Sequence, residues 1–68
     1  MKMNELKLSK DIFEVNAIEN AILQYKDICI ISKNENSDYY TLIFCDCVYS
    51  VEETINEFEN YVIDLMNS

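Results

Sequence analysis

The chain is 68 residues long and strongly acidic, with 13 Asp or Glu against five Lys or Arg and a formal net charge of −8. Nucleic acids and anionic membrane surfaces both attract basic proteins, so this composition argues against either kind of partner. The chain has no His, the usual general base at neutral pH, and no Gly for a glycine-rich phosphate-binding loop. We therefore expect one small domain over residues 1–68, which is not an enzyme and binds no cofactor or metal.

The location of the protein is predicted from the segments that it lacks. No apolar run approaches the roughly 20 residues of a membrane-spanning helix. The first residues, MKMNELKLSKD, do not contain the apolar core of a signal peptide. We expect a cytoplasmic protein whose thiols are reduced.

The first half of the chain predicts a strand followed by a helix. In the segment ELKLS, Leu alternates with polar residues, which indicates a short strand over about Glu5–Ser9. Asn16 is a favoured N-cap residue and has Glu19 three positions later, so we expect a helix from there to about Lys26. Its apolar face recurs at helical spacing and comprises Ile18, Ala21, Ile22 and Tyr25.

Two further strands are predicted in the middle of the chain. The segment ICIIS, Ile28–Ser32, is short and β-branched, and YYTLIFC, Tyr39–Cys45, is rich in aromatic and β-branched residues. The polar segment KNENSD separates them and lacks Gly, so a loop of about four or five residues fits better than a two-residue turn. We expect these two strands to form a hairpin.

The last predicted element is a long amphipathic helix. Ser50 and Glu53 form a capping box, and the apolar stripe that follows extends to about Met66. The complete order is β-α-β-β-α, which predicts a two-layer α+β domain with two helices on one face of a three-stranded sheet. The stripe comprises Val51, Ile55, Phe58, Val62 and Leu65, with Tyr61 beside it.

The cysteines allow several interpretations. The C-x-C spacing of Cys45 and Cys47 suits neither a zinc site nor a C-x-x-C redox pair, and a disulfide between them would close a very tight ring. Cys29 could add a third thiolate, but no His is present to complete a metal site. We interpret the cysteines as small hydrophobic residues at the rim of the core. A bulge or strand end near Asp46 would return Cys47 to that core.

The alternation along the third strand predicts a binding surface. If Tyr40, Leu42 and Phe44 face the helices, the opposite face carries an unusually apolar row. Ordinary half-exposed surface would explain the row. The alternative is a site for a protein or peptide partner, or for a second copy of the chain in a homodimer. The candidate partner-binding residues are Tyr39, Thr41, Ile43 and Cys45.

Three segments carry a resemblance to a known family: Ala17–Asp27, Tyr39–Cys47 and Glu57–Ser68. With the first strand, they resemble HxsD and its HxsD-like relatives, small accessory proteins of the His-Xaa-Ser peptide-modification systems. The chain differs from part of that family in lacking an Arg-rich C-terminal end. The most specific patch is E-F-x-N-Y, formed by Glu57, Phe58, Asn60 and Tyr61.

The resemblance implies a non-catalytic adaptor in the maturation of ribosomally made peptides. Its partners would be a radical SAM maturase and a precursor peptide. The acidic balance favours an alternative, a small inhibitor or immunity-type protein that blocks a basic, nucleic-acid-handling enzyme. A third hypothesis, thiol chemistry at Cys47, is disfavoured by the negative charge of Asp46, Glu52 and Glu53 around it.

Overall fold

The α+β prediction and the order β-α-β-β-α are confirmed by a computed structural model, which describes residues 4–68. The elements are β1 (Glu5–Ser9), α1 (Val15–Gln24), β2 (Ile30–Glu35), β3 (Tyr39–Cys45) and α2 (Val51–Met66).

The sheet is antiparallel, with β3 in the centre and the order β1-β3-β2. Ile43 on β3 lies opposite Glu5 on β1 and opposite Ser32 on β2. The two outer strands run in the same direction but do not touch, and α1 lies between them in the sequence. The predicted β2–β3 hairpin is confirmed.

The predicted start and end of α1 are wrong. The helix begins at Val15, its N-cap is Glu14, and no side chain caps it. Asn16 is already helical because the chain turns tightly after β1, where the N–H groups of Ile12 and Phe13 both donate to the carbonyl of Ser9. A capping-box spacing therefore occurs here without a cap, and the helix ends at Gln24 rather than at Lys26.

The predicted bounds of β2 and its loop are also shifted. Ile28 and Cys29 lie in the turn after α1, where their N–H groups donate to the carbonyl of Tyr25 at 2.9 and 3.0 Å. The strand continues instead through polar residues to Glu35, so the loop to β3 has only three residues. Asn36 closes it, because its Oδ1 accepts from the N–H groups of both Asp38 and Tyr39 at 2.8 Å.

The start and end of α2 agree with the sequence prediction. The Ser50 hydroxyl accepts a long, 3.5 Å hydrogen bond from the N–H of Glu53. The hydroxyl of Thr54, which the sequence did not place in the core, is buried and donates to the carbonyl of Ser50 at 2.9 Å. This satisfied hydroxyl explains how a polar residue lies against the core.

The core lies between the sheet and the two helices, and Phe58 is at its centre. The ring of Phe58 packs edge-to-face against Phe44 of β3 at 5.3 Å and against Tyr25 after α1 at 5.4 Å. One side chain therefore joins α2 to both the sheet and the other helix. The largest fully buried side chains are Phe44, Phe58, Leu8, Ile18, Leu42 and Val62.

Replacing Phe58 by Ala is expected to leave the protein largely unfolded at room temperature. Truncation of a buried Phe costs ~3–5 kcal/mol, which is about the whole net stability of a domain this small. Circular dichroism during thermal unfolding measures the effect. Ile63→Ala on the same helix is the matched control, because Ile63 is 36% exposed. If Phe58→Ala unfolds cooperatively at a temperature near that of the control, Phe58 does not stabilise the core as proposed.

Candidate functional site

The candidate site is the side of the sheet that faces away from the helices, which we call the open face. Leu42 and Phe44 are buried with Leu8 of β1, as the predicted alternation requires. The open face consists of Glu5, Lys7 and Ser9 of β1, Tyr39, Thr41, Ile43 and Cys45 of β3, and Ile30, Ser32 and Asn34 of β2.

All four predicted binding residues lie together on this face, in one row along β3. Tyr39 is 41% exposed, Cys45 is exposed, and Thr41 and Ile43 are half-buried. The row also has a member that the sequence did not identify. Ile30 lies opposite Cys45 and is 57% exposed. Its position follows from the pairing register, which the sequence alone does not give.

The apolar row follows β3 alone for most of its length, because Ile30 is the single apolar residue that the flanking strands present on the open face. Glu5 lies opposite Ile43, and Lys7 lies opposite Thr41. The Nζ of Lys7 is 5.5 Å from the ring centroid of Tyr39, within range of a cation–π contact. The open face therefore fits a narrow partner, such as an extended peptide segment, better than a broad apolar surface.

The β1 edge of the sheet adds backbone hydrogen-bonding groups to this site. The N–H of Phe44 donates to the carbonyl of Asn4 at 2.8 Å. In an antiparallel ladder, every second residue counted from Asn4 therefore directs its backbone N–H and C=O groups toward β3. The N–H and C=O groups of Glu5 and Lys7 then point out of the edge. A peptide strand placed there would receive main-chain hydrogen bonds.

The prediction of reduced thiols is wrong for this structure, in which Cys29 and Cys47 form a disulfide. Their Cα atoms are 4.1 Å apart. Asp46 makes this pairing possible because its φ of 53° is left-handed, which ends β3 and turns Cys47 back to the core. The return of Cys47 to the core agrees with the strand end expected near Asp46, whereas its pairing with Cys29 was not predicted. Cys45 is a free, exposed cysteine.

The disulfide changes the chemistry available to the cysteines. Cys47 carries no thiol here, so the thiol-enzyme hypothesis loses its nucleophile in this form. Cys29 and Cys47 are likewise unavailable as thiolate ligands. Within residues 4–68, no group of three or more His, Cys, Asp or Glu side chains is placed to hold a metal ion.

Lysines cluster at the far end of the sheet from the disulfide. Tyr40 lies between Lys10 and Lys33, whose Nζ atoms are 5.2 and 5.6 Å from its ring centroid. Lys10 pairs with Glu35 at 2.9 Å, and this hydrogen bond lowers the pKa of the Glu35 carboxyl. Lys33 pairs with Glu19, which raises the pKa of the Lys33 ammonium. These cations are therefore already engaged by aromatic and acidic neighbours.

The E-F-x-N-Y patch divides between core and surface. Phe58 is fully buried, and Tyr61 is half-buried with its ring 6.0 Å from that of Tyr25. Burial, and next the charge of Glu57, raise the pKa of the Tyr25 hydroxyl. Glu57 and Asn60 are exposed. The aromatic residues of the patch thus have a packing role, and only its polar residues are free to contact a partner.

Comparison of the chain with protein-family models, with curated proteins and with solved structures found no match in any of the three. Across residues 4–68, neither helix is long and apolar enough to cross a membrane.

Reduction of the disulfide is expected to lower the free energy of unfolding by about 3 kcal/mol. The bond joins residues 18 positions apart, and closing a loop of this size restricts the unfolded chain by about that amount. Urea denaturation with and without a phosphine reductant measures the difference.

Two variants control this measurement. The stability of Cys45→Ser should match that of the wild type in both conditions, because Cys45 is exposed and outside the disulfide. The double variant Cys29→Ala/Cys47→Ala should not respond to reductant. If mass spectrometry shows the bond formed in the wild type and reduction leaves its stability unchanged, the disulfide has no stabilising role.

Proposed function

We propose that the protein is a non-catalytic adaptor in the maturation of ribosomally made peptides, and that it binds a precursor peptide or a radical SAM maturase through the open face. The observation that carries this proposal is the apolar row of Tyr39, Thr41 and Ile43 on the side of the sheet that the helices leave uncovered. The resemblance of three segments to HxsD-like accessory proteins supports the biological setting.

The energetics of the open face suit a modest, reversible interaction. At ~25 cal/mol per Å² of apolar surface, covering a few hundred Å² contributes several kcal/mol before the entropic cost of association. Tyr39 would anchor such a contact, because Tyr is one of the residue types enriched at the energetic centres of protein interfaces. The free backbone groups of Glu5 and Lys7 would give an extended peptide direction and register. A second copy of the chain would use the same row in a homodimer.

The proposal includes a cytoplasmic location, which requires the protein to fold without the disulfide. Glutathione and thioredoxin keep most cytoplasmic thiols reduced. The adaptor must therefore fold and bind with Cys29 and Cys47 in the dithiol form. Binding assays in reducing buffer are accordingly the relevant ones.

The test compares two neighbouring residues of β3 that point to opposite faces. Ile43→Asp should abolish association with the precursor peptide or maturase encoded beside the gene while the monomer stays folded. Leu42→Asp should unfold the domain, because Leu42 is fully buried. Isothermal titration calorimetry measures binding, and circular dichroism measures folding.

Asn34→Asp is the matched control, since it places the same charge on the open face outside the apolar row. It should reduce affinity far less than Ile43→Asp. The open face would be excluded as the site if a folded Ile43→Asp variant bound the encoded peptide or maturase as tightly as the wild type.

A second function, inhibition of a basic enzyme, is supported by the charge of α2. This helix carries no Lys or Arg, and its acidic residues are Glu52, Glu53, Glu57, Glu59 and Asp64. Stoichiometric, salt-sensitive inhibition of a nuclease encoded nearby, unaffected by Ile43→Asp, would favour the inhibitor over the adaptor.

A further inference from the structure

An open cleft of about 460 Å³ lies where β3 ends and α2 begins. Its lining is mainly apolar and includes Asp46, whose φ is left-handed. We call it the Tyr49 cleft, and its lining residues are Asn4, Phe44, Cys45, Asp46, Cys47, Tyr49 and Val51.

Tyr49 is the most prominent side chain of this cleft. It is 64% exposed, and the neighbouring Val48 is 68% exposed, although both side chains are large and apolar. Tyr49 also lines a second, smaller cleft of about 290 Å³, which contains Glu53 and Glu57. Tyr49 therefore lines both clefts, of which one includes Asp46 and the other includes two carboxylates.

Within residues 4–68, no lysine forms an ion pair with Asp46, Glu53 or Glu57. The two ion pairs within residues 4–68 involve Lys10 and Lys33. These lysines lie near Tyr40, six residues from Asp46 along β3, or roughly 20 Å at the rise of an extended strand. Lys26 is exposed in the turn after α1 but lines neither cleft.

We propose that the Tyr49 cleft binds a basic, extended segment of a partner protein. A Lys or Arg side chain would contact the Tyr49 ring and the carboxylates of the two clefts that Tyr49 lines, and an apolar neighbour would lie near Phe44 and Val51. Aromatic rings attract cations over their faces, and nearby carboxylates add to that attraction. The charge of the cleft thus selects a basic segment over an acidic one.

This cleft is a surface distinct from the apolar row. It shares Cys45 with the open face, but Ile43 does not line it, and Tyr49 does not belong to the sheet. The proposal therefore does not depend on the adaptor role, and different variants test the two.

The probe is the tetrapeptide acetyl-Lys-Leu-Leu-Lys-amide, with acetyl-Glu-Leu-Leu-Glu-amide as its charge-reversed counterpart. Each is titrated into nitrogen-15-labelled wild-type protein and followed by amide chemical shifts. We expect the basic probe to shift the amides of residues 46–57 selectively, and the acidic probe to leave them in place. The shifts should weaken at an ionic strength of about 1 M, where the screening length is roughly 3 Å.

Substitutions within the cleft test the roles of charge and ring. Asn also tolerates a left-handed φ, so Asp46→Asn should keep the backbone turn. It should lower the affinity for the basic probe roughly threefold, within the range for one exposed charge pair. Tyr49→Phe keeps the ring and should bind within about twofold of the wild type, whereas Tyr49→Ser should weaken binding more than Asp46→Asn does. Circular dichroism verifies that each variant is folded.

Controls outside the cleft decide the outcome. Asp64→Asn removes the same charge from the far part of α2 and should leave binding unchanged, as should Ile43→Asp on the open face. Equal weakening by Asp64→Asn and Asp46→Asn would show diffuse charge attraction and overturn the proposal. The absence of selective shifts with the basic probe, or equal shifts with the acidic probe, would also overturn it.

Discussion

The fold depends on the packing of Phe58 between the sheet and the two helices. Its ring meets Phe44 on one side and Tyr25 on the other, both edge-to-face. Such contacts add about 0.5–1.5 kcal/mol each beyond the area that they bury. In a domain with so few fully buried side chains, no second aromatic cluster of this kind joins the layers within residues 4–68. The orientation of α2, and with it both clefts, is therefore sensitive to this junction.

Asp46 determines the geometry at the end of β3 where the candidate surfaces meet. A chain without glycine must use another residue wherever the backbone turns left-handed, and Asp is among those that tolerate it best. The turn sends Cys47 inward to Cys29, while Cys45 stays on the open face. The same turn leads the backbone outward through Tyr49 before Ser50 caps α2. One residue thus provides a covalent link, a strand end and an exposed aromatic side chain.

The elements that the sequence predicted correctly are those whose signals are redundant. In β3, apolar alternation and β-branched composition agree, and in α2 the Ser50 cap precedes a long apolar stripe. The start of α1 was mispredicted because Asn16 has the spacing of a cap, whereas the turn after Ser9 sets where the helix begins. The end of β2 was missed because an edge strand can consist of polar residues.

The candidate site was predictable only in part for a related reason. Alternation along β3 identifies which of its residues share a face, and that grouping needs no knowledge of the neighbouring strands. The contribution of Ile30 and the polar flank of Glu5 and Lys7 depend on strand order and register, which are properties of the assembled sheet. The disulfide depends on the backbone of Asp46, a conformation that no residue type in the segment requires.

Partner binding and the redox state of the cysteines affect the same small free energy of folding. A partner present at about 100 times its dissociation constant adds about 2.7 kcal/mol to the stability of the folded state. Loss of a disulfide that closes a loop of this size removes about 3 kcal/mol. These amounts are nearly equal, and each is comparable with the net stability of about 3–5 kcal/mol expected for so small a core. With the disulfide reduced, a peptide bound at the proposed surface would therefore offset the stabilisation that the Cys29–Cys47 bond no longer provides.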